Sequence, residues 1–394
     1  MLFPPTELSI VEAVIRGDVD ISGSVEAAAG LSEVIGHRIK SRKSMANLAR
    51  LILALPHDRK DELDNQFSAR AIGRQHDPER DAAAIQFHYD VGNDFYKLWL
   101  DQRMVYSCAY FQDWSDVSTD TLDAAQEAKL DLVCRKLRLH EGERFLDIGC
   151  GWGALIMHAA EHYGVTATGI TLSKAQETLA RERIARAGLS DRCTIEIRDY
   201  RTIGSRPDEH LYDKISSIGM VEHVGEAKLP EYFSAAFRSL APGGLFLNHG
   251  IVSLSDPRPR PLGQRAFRKL WRADAFIDKY VFPDGKLCAL HKFVAAGEGA
   301  GFETRDVESL REHYARTLRL WVRRLEQRER EAIATVGERT YRVWRLYMSA
   351  AARAFATAGI GVVQTLFAKP DGAGRVAIPP TRNDILERQL SLVP

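Results

Sequence analysis

The sequence of 394 residues has almost no excess of charge of either sign. Its 54 basic residues are balanced by 53 acidic ones, which gives a formal net charge of +1. This balance argues against bulk electrostatic attachment to nucleic acid, although it leaves room for local basic patches. We therefore expect no nucleic-acid partner.

Cysteine is scarce and never occurs in CxxC spacing. The five cysteines, an odd number, are Cys108, Cys134, Cys150, Cys193 and Cys288. A disulfide framework or a metal site is therefore not expected, and a reducing cytosol fits best.

Long apolar runs and targeting patterns are also missing. No stretch approaches 18 uncharged apolar residues, so no membrane-spanning helix is predicted. The first residues, "MLFPPTELSIVEAVIRG", lack a basic region ahead of a long apolar core, and we expect no signal peptide. The sequence predicts a cytoplasmic protein that is soluble or at most peripheral to a membrane.

Two regions with different patterns follow one another. In residues 1–80, apolar residues recur at helical spacing in "ELSIVEAVI" and "SMANLARLILAL", and a charged stretch at 58–81 looks like an exposed connector. From about residue 122, helices alternate with short apolar strands, which predicts an α/β fold with a mostly parallel sheet. The predicted strands are 144–148, 165–170, 193–197, 213–218, 244–251 and 361–370, the last antiparallel at or near an edge. The predicted helices are "TLDAAQEAKLDLVCRKL", "ALIMHAAEHY", "SKAQETLARERIARAG" and "LPEYFSAAFRSL".

A glycine-rich turn follows the first of these strands. "FLDIGCGWG" places Gly149, Gly151 and Gly153 between a strand and a helix, where the backbone can approach a ligand closely. Asp147, two residues earlier, is placed to accept a hydrogen bond from a ligand ammonium. The GxGxxG fingerprint of nicotinamide sites is broken here.

The ends of the next two strands also differ from a nicotinamide site. The second strand runs into "GITLSKAQ" without a carboxylate, so Thr171 and Gln176 are the candidates for ribose contacts. After the third strand, "RDYR" offers Asp199 to an adenine amino group and Tyr200 to stack on the ring. This set fits S-adenosylmethionine better than NAD.

The stretch "GMVEHVG" puts a carboxylate and an imidazole side by side after a buried strand. Taken singly, such residues have plain structural interpretations. Glu222 fits a solvated loop, Cys108 a small core residue, His249 a hydrogen-bonded core histidine and Tyr347 a packed helix face.

Eight collinear motifs give the sequence a specific resemblance. They are "QFHYDVGNDFYKLWLD", "VYSCAYF", "LDIGCGWGAL", "GITLSKAQ", "RDYR", "GMVEHVG", "FIDKYVFPDGKL" and "YMSAAARAFATAGI". From about residue 86 to about 370, the chain resembles the cyclopropane-fatty-acyl-phospholipid synthases and the related mycolic acid cyclopropane synthases. The resemblance implies a Rossmann-like seven-stranded methyltransferase fold with added helical lipid-binding elements.

The same resemblance implies a division of the chain and an assembly. A small helical N-terminal domain would cover residues 1–80. A catalytic domain would cover 81–394, with a lipid-binding insertion around 252–292. A homodimer is implied as well.

The resemblance also assigns roles to residues. A bound bicarbonate would be held by Cys108, Glu222, His249 and Tyr347, with a backbone contact from Ile251. Tyr106 and Ser107 would close over the cofactor, and Trp152 and Leu172 would be its neighbours. No role matches His223, which we expect to be structural.

The implied reaction is methylene transfer from S-adenosylmethionine to the cis double bond of an unsaturated phospholipid acyl chain, at the inner face of the cell membrane. The resulting cation requires a dry, aromatic site and a base. One alternative ends in a methylene- or methyl-branched chain. The others are a small-molecule or acyl-thioester substrate, and a binding module without activity.

Two features bear on these alternatives. The family commonly has "LHTI" where this chain has "NHGI", with Asn248 and Gly250 flanking His249. This departure leaves the anion affinity and ring closure open. The segment 254–276 is basic and aromatic, which favours contact with anionic lipid headgroups over a solvated loop.

Overall fold

The structure is a computed structural model. It describes residues 7–30, 91–115, 121–205, 211–254, 274–281, 287–376 and 378–385, with three single residues (50, 80 and 285) between these ranges. Apart from the single residues 50 and 80, the predicted helix "SMANLARLILAL" and the connector at 58–81 lie outside the described residues, as does most of the basic segment at 254–276.

A seven-stranded sheet forms the centre of the fold, in the order β3-β2-β1-β4-β5-β7-β6. The first five strands are parallel, and β7 pairs antiparallel with both β5 and β6. The strands are β1 (Arg144–Ile148), β2 (Thr166–Thr171), β3 (Cys193–Ile197), β4 (Tyr212–Ile218), β5 (Leu240–Ser253), β6 (Glu303–Ser309) and β7 (Ile360–Ala368).

Twelve α-helices are present in the described ranges. They are α1 (Glu7–Arg16), α2 (Val25–Ala29), α3 (Asn93–Lys97), α4 (Thr121–Leu137), α5 (Ala154–Tyr163), α6 (Lys174–Arg186), α7 (Leu229–Ser239), α8 (Asp274–Tyr280), α9 (Leu290–Gly299), α10 (Arg311–Gln327), α11 (Glu329–Val336) and α12 (Glu338–Ala356). Short 3₁₀ turns occupy Tyr200–Thr202, Val221–His223 and Glu226–Lys228.

Most predicted elements are confirmed, and one strand was missed. The helix "TLDAAQEAKLDLVCRKL" forms α4 over its full predicted length, and β7 lies one strand from the edge, as expected. The missed strand is β6, "ETRDVES", which forms the edge of the sheet beside β7. It carries no apolar run, because none of its residues is fully buried.

Both faces of the sheet are covered by helices. Helices α4 and α5 cover the face that carries Phe145, Leu247 and Leu366. Helices α7 and α9 cover the face that carries Phe246 and Phe367. Apolar side chains therefore alternate between two cores along each central strand.

A third apolar cluster lies beyond the sheet, around α3, α10 and α12. The N-terminal helices pack onto this helical layer: Glu26 on α2 pairs with Arg319 on α10, and Glu12 on α1 accepts from Lys279 on α8. A separate domain over residues 1–80 stays a prediction. Among the described helices, none combines the length and apolarity needed to cross a membrane.

Candidate functional site

The glycine-rich turn after β1 borders a cavity of about 140 Å³ at the carboxyl ends of the parallel strands. Gly149 and Gly151 have φ values of +81° and +55°, a conformation that favours glycine. A Cβ on Gly149 would lie 3.1 Å from the Cβ of Met220, so a larger residue would also crowd the loop after β4. The turn keeps this edge of the sheet open to a ligand.

A buried pair of opposite charges lies at the inner end of the cavity. Asp147 accepts a hydrogen bond of 2.6 Å from the Ser216 hydroxyl, and Lys129 donates one of 2.8 Å to the Ser107 hydroxyl. Burial raises the pKa of Asp147 to about 6 and lowers that of Lys129 to about 8. A ligand carrying an ammonium and a carboxylate matches this pair.

The polar residues after β2 contact each other. The Thr171 hydroxyl lies 2.8 Å from Gln176 Oε1, and Ser173 caps α6 by accepting from the Gln176 backbone N–H. Both Thr171 and Gln176 line the cavity.

The residues after β3 form a second polar group on the cavity wall. Asp199 accepts from the backbone N–H of Arg201 at 2.8 Å, and the Arg201 guanidinium lies 5.2 Å from the centre of the Tyr200 ring. This guanidinium also pairs with Asp199 at 3.3 Å.

The cavity brings together ten of the eleven residues predicted to bind the cofactor. They are Tyr106, Ser107, Asp147, Gly149, Gly151, Thr171, Leu172, Gln176, Asp199 and Tyr200. Gly153 is the exception, because it is the N-cap of α5 and faces Ala180 instead. Trp152 also lines the cavity, and its ring N–H donates to Asn93 at 2.8 Å.

The carboxylate of "GMVEHVG" faces β5. Glu222, on the 3₁₀ turn after β4, accepts a hydrogen bond of 2.7 Å from the backbone N–H of Ile251. Its other oxygen, Oε2, is buried and has no hydrogen-bond partner in the described part of the chain. Burial raises the pKa of Glu222 to about 7, and the bond from Ile251 opposes this shift. Such a carboxylate is suited to accept a hydrogen bond from a ligand O–H.

The other predicted catalytic residues are linked to Glu222 through β5. His249 precedes Ile251 by two residues, so the two side chains share a face of the strand. Ile251 packs against the third apolar cluster, which contains Cys108 and Tyr347. Burial lowers the pKa of His249 to about 3 and raises that of the Cys108 thiol, so both groups are neutral at pH 7.

The two residues that depart from the family's common "LHTI", Asn248 and Gly250, have different surroundings in the structure. Asn248 points to the opposite face from His249, where its Oδ1 accepts from the Tyr232 hydroxyl at 2.9 Å. Gly250 is different, since a Cβ there would lie 2.3 Å from Val221 Cγ1. The glycine therefore permits the turn that carries Glu222 to approach β5.

Aromatic rings make up much of the third apolar cluster. Tyr106 lies between Trp99, at 5.5 Å between ring centres, and Trp321, at 5.3 Å. The rings that join them in this aromatic cluster are Phe95, Tyr96, Trp152, Trp344 and Tyr347. Among described groups, the indole N–H of neither Trp99 nor Trp321 has a hydrogen-bond partner. The cluster is a wall of packed aromatic rings.

Lys129 and His223 are among the cavity residues that sequence reasoning did not assign to the cofactor site. Lys129 fell on what looked like the polar side of an amphipathic helix, yet it is only 1% exposed. His223, expected to be structural, lines the cavity, and burial lowers its pKa to about 4. The available signal was that His223 follows Glu222 in the polar stretch directly after strand β4.

The sheet order and the cavity at its carboxyl edge define an S-adenosylmethionine-dependent methyltransferase. The family model described as mycolic acid cyclopropane synthetase matches residues 76–365, and the chain belongs to this family. It is thus a methyltransferase of the cyclopropane synthase type.

Individual relatives agree with this assignment. A probable fatty acid methyltransferase of Pseudomonas putida is 46% identical over 312 residues, which cover 79% of this chain and 75% of the relative. The cyclopropane-fatty-acyl-phospholipid synthase of Escherichia coli K12 is 35% identical over 315 residues, covering 80% of this chain and 75% of that one. The structure of the mycolic acid cyclopropane synthase CmaA1 complexed with SAH and CTAB has a TM-score of 0.66 and 34% identity, and covers 73% of this chain and 98% of that chain.

Proposed function

We propose that the protein transfers a methylene group from S-adenosylmethionine to the cis double bond of an unsaturated phospholipid acyl chain and forms a cyclopropane ring. The relatives named as a cyclopropane-fatty-acyl-phospholipid synthase and a fatty acid methyltransferase support the lipid substrate. The observation that carries the proposal is Glu222, whose buried Oε2 has no hydrogen-bond partner among the described residues. Its other oxygen is held by the backbone of Ile251, whose side chain packs against the apolar cluster that contains the aromatic rings.

The cofactor residues divide by the part of S-adenosylmethionine that they fit. Asp147 would accept from the ammonium, Thr171 and Gln176 would contact the ribose, and Asp199 and Tyr200 would hold the adenine. When bound, the cofactor supplies the electrophilic methyl group of its sulfonium. Tyr106 and Ser107 would close this cavity and exclude water.

The anion site has the donors and the acceptor that bicarbonate requires. Glu222 Oε2 would accept the hydroxyl hydrogen, while His249 and Tyr347 would donate to the remaining oxygens, beside Cys108 and the backbone of Ile251. The raised pKa of Glu222 is consistent with an acceptor that needs such a donor. The bound anion would supply the base that removes the proton.

The aromatic cluster would protect the cation that methylation creates. Ring faces stabilise positive charge, and a site without water prevents capture of the cation before it loses its proton. Because isolated alkenes are weak nucleophiles, this protection matters more here than in transfer to nitrogen or oxygen.

A second product class is supported by a specific departure. Gly250 and Asn248 replace the family's common residues beside His249, and the Pseudomonas putida relative is named only as a probable fatty acid methyltransferase. If the cation loses a proton from a chain carbon instead of the new methyl group, the same methyl transfer gives a methyl-branched, still unsaturated chain. If a hydride shifts first and the methyl group then loses the proton, it gives a methylene-branched chain.

The test is mass spectrometry of membrane lipids after expression in a host without its own lipid methyltransferase. A gain of one CH₂ unit in a chain that resists hydrogenation supports ring formation. The same gain in a chain that takes up hydrogen contradicts the ring and supports the branched product. No gain contradicts both, and would favour a small-molecule or acyl-thioester substrate.

We further propose a homodimer that works at the inner membrane surface, in contact with anionic headgroups through segment 254–276. Six basic residues in this segment support the proposal: Arg258, Arg260, Arg265, Arg268, Lys269 and Arg272. Binding to anionic liposomes is expected to fall with salt and with Arg268→Glu plus Lys269→Glu. Unchanged binding in both experiments would remove the membrane contact.

A further inference from the structure

A row of polar side chains crosses three neighbouring strands inside the core. His249 on β5 lies directly opposite Gln364 on β7, and Gln364 lies opposite Glu308 on the edge strand β6. His249 and Gln364 are 2% and 1% exposed, and each follows or precedes by two residues a leucine of the α4 face, Leu247 and Leu366. Polar groups buried this deeply need hydrogen-bond partners, so their arrangement is informative.

Lys136 on α4 lies over this row. Its ammonium donates to Gln364 Oε1 at 2.8 Å and forms an ion pair with Glu308. A second carboxylate, Asp306, lies 3.9 Å away and is itself paired with Arg382. Burial lowers the pKa of Lys136, and Glu308 opposes that shift. The cation is thus held at the edge of the sheet by two acidic residues.

The ammonium fixes which way the Gln364 amide points. An ammonium has only donors, so it must meet the carbonyl oxygen of the amide. The amide nitrogen is therefore turned toward the imidazole, where Nε2 of Gln364 lies 3.3 Å from Nδ1 of His249. The reverse orientation would set the amide N–H₂ against the Lys136 ammonium.

The amide in turn fixes the tautomer of the imidazole. An amide N–H₂ only donates, so Nδ1 of His249 must be the acceptor. Burial keeps the ring neutral at pH 7, and a neutral ring has a single proton, which then sits on Nε2.

We propose that Lys136, acting through Gln364, is a positioning residue that holds His249 as the Nε2–H tautomer, so that the ring can donate to an anion and cannot accept a proton at Nε2. The anion role rests on the function proposed above. The tautomer itself does not, because it follows from contacts within the chain. Proton removal from the substrate is thereby left to a group other than His249.

Nitrogen NMR of the full-length protein with ¹⁵N-labelled histidine tests the proposal. The couplings between ring protons and nitrogens identify which nitrogen is protonated, and His249→Asn assigns the signal by its loss. We expect Nε2–H in the wild type. In Gln364→Glu, a carboxylate accepts from both Lys136 and the ring, so we expect the proton to move to Nδ1.

Lys136→Met gives a second reading that introduces no new charge beside the ring. Without the Lys136 ammonium, the Gln364 amide is free to turn, so the Nδ1–H form of His249 should appear beside the Nε2–H form. Lys292→Met is the matched control, since it removes an exposed Lys–Glu pair with Glu226 and should leave the spectrum unchanged. An Nδ1–H wild type, or a tautomer that stays Nε2–H in both folded variants, overturns the proposal.

The lipid assay separates this inference from the proposed function. The NMR measurement needs no substrate. If the protein makes no modified lipid, the proposed function is contradicted, but the assignment of the His249 tautomer is unaffected. If the tautomer moves in Gln364→Glu while lipid conversion keeps its full rate, the donating role of His249 is overturned.

Discussion

The backbone N–H of Ile251 donates to Oε1 of Glu222 at 2.7 Å, and this bond fixes a carboxylate against the strand that carries His249. It leaves Oε2 as a buried acceptor without a partner in the described chain. Glu222→Gln keeps the size and can keep the bond to Ile251, but it places a donor where Oε2 stood. We expect turnover of lipid to fall about 100-fold or more.

The rate of lipid conversion, measured with saturating cofactor, checks this expectation. Glu226→Gln is the control, because Glu226 is exposed and pairs with Lys292 outside the site. A Glu222→Gln protein with the wild-type rate would show that the second oxygen plays no part in the reaction.

Gly250→Ala should disturb the same carboxylate from the other side. The new Cβ would lie 2.3 Å from Val221 Cγ1, so the Val221 side chain or the turn that carries it and Glu222 must shift. We expect a loss of about 1–3 kcal/mol in the free energy of unfolding and a strong loss of turnover. Urea denaturation and the lipid assay measure the two effects.

Two further variants test whether the contact between the new Cβ and Val221 causes the losses of stability and turnover. Val221→Ala in the Gly250→Ala background removes the clash and should restore part of both losses. Gly299→Ala, at a glycine with nothing within 4 Å of its added Cβ, should be close to neutral. A double variant as impaired as Gly250→Ala alone would argue against this explanation.

Cofactor affinity should depend on pH through Asp147. Burial raises the pKa of its carboxyl to about 6, and only the ionised form can pair with an ammonium. Affinity for S-adenosylhomocysteine should therefore weaken as the pH falls through about 6. Asp147→Asn should bind about 10-fold or more weakly and lose this pH dependence.

Calorimetric titrations across this pH range provide the measurement. Ser216→Ala is an informative companion, because the Ser216 hydroxyl lowers the pKa of Asp147. Its removal should shift the midpoint to higher pH. A midpoint that does not move between wild type and Ser216→Ala would exclude Asp147 as the titrating group.

His158 should make stability depend on pH. Burial, followed by the neighbouring His162, lowers its pKa from 6.5 to about 4, and neither ring nitrogen has a partner among described residues. The nearby charged groups are Asp131, Arg103 and Lys129. As the pH falls below 6.5, His158 binds a proton in the unfolded chain but not in the folded protein, so the free energy of unfolding decreases.

His158→Leu removes this loss. Relative to the wild type, the variant should gain about 1 kcal/mol or more between about pH 7 and about pH 5. Urea denaturation at the two pH values gives this difference, with His291→Leu, at an exposed position on α9, as the control. An equal pH response in His158→Leu and wild type would contradict the assignment.

The central strands were readable from the sequence because each is a short apolar run buried on both faces. Edge strand β6 was not, since its residues alternate between partly buried and exposed and include Glu303, Asp306 and Glu308. The polar runs after β2 and β3 were also readable, because the carboxyl ends of parallel strands meet at one edge.

It was harder to predict which residues far apart in the chain lie near one another. Sequence spacing gave no reason to place Cys108 near Tyr347, and only the family resemblance predicted that the two belong to one site. Lys129 and Lys136 were missed because helical periodicity assigns lysines to the solvent side. Here α4 is covered on several sides, and the ammonium groups of these two lysines contact polar partners supplied by other elements.

The turn at Val221–His223 has a consequence for how this enzyme can change. Neighbouring residues of a 3₁₀ turn point about a third of a circle apart, and here His223 lines the cofactor cavity while Glu222 bonds to β5. One short turn therefore contributes both to the cavity wall and to the contact with β5. A substitution that moves one of these two surfaces is expected to move the other, so we expect cofactor affinity and the position of the Glu222 carboxylate to change together.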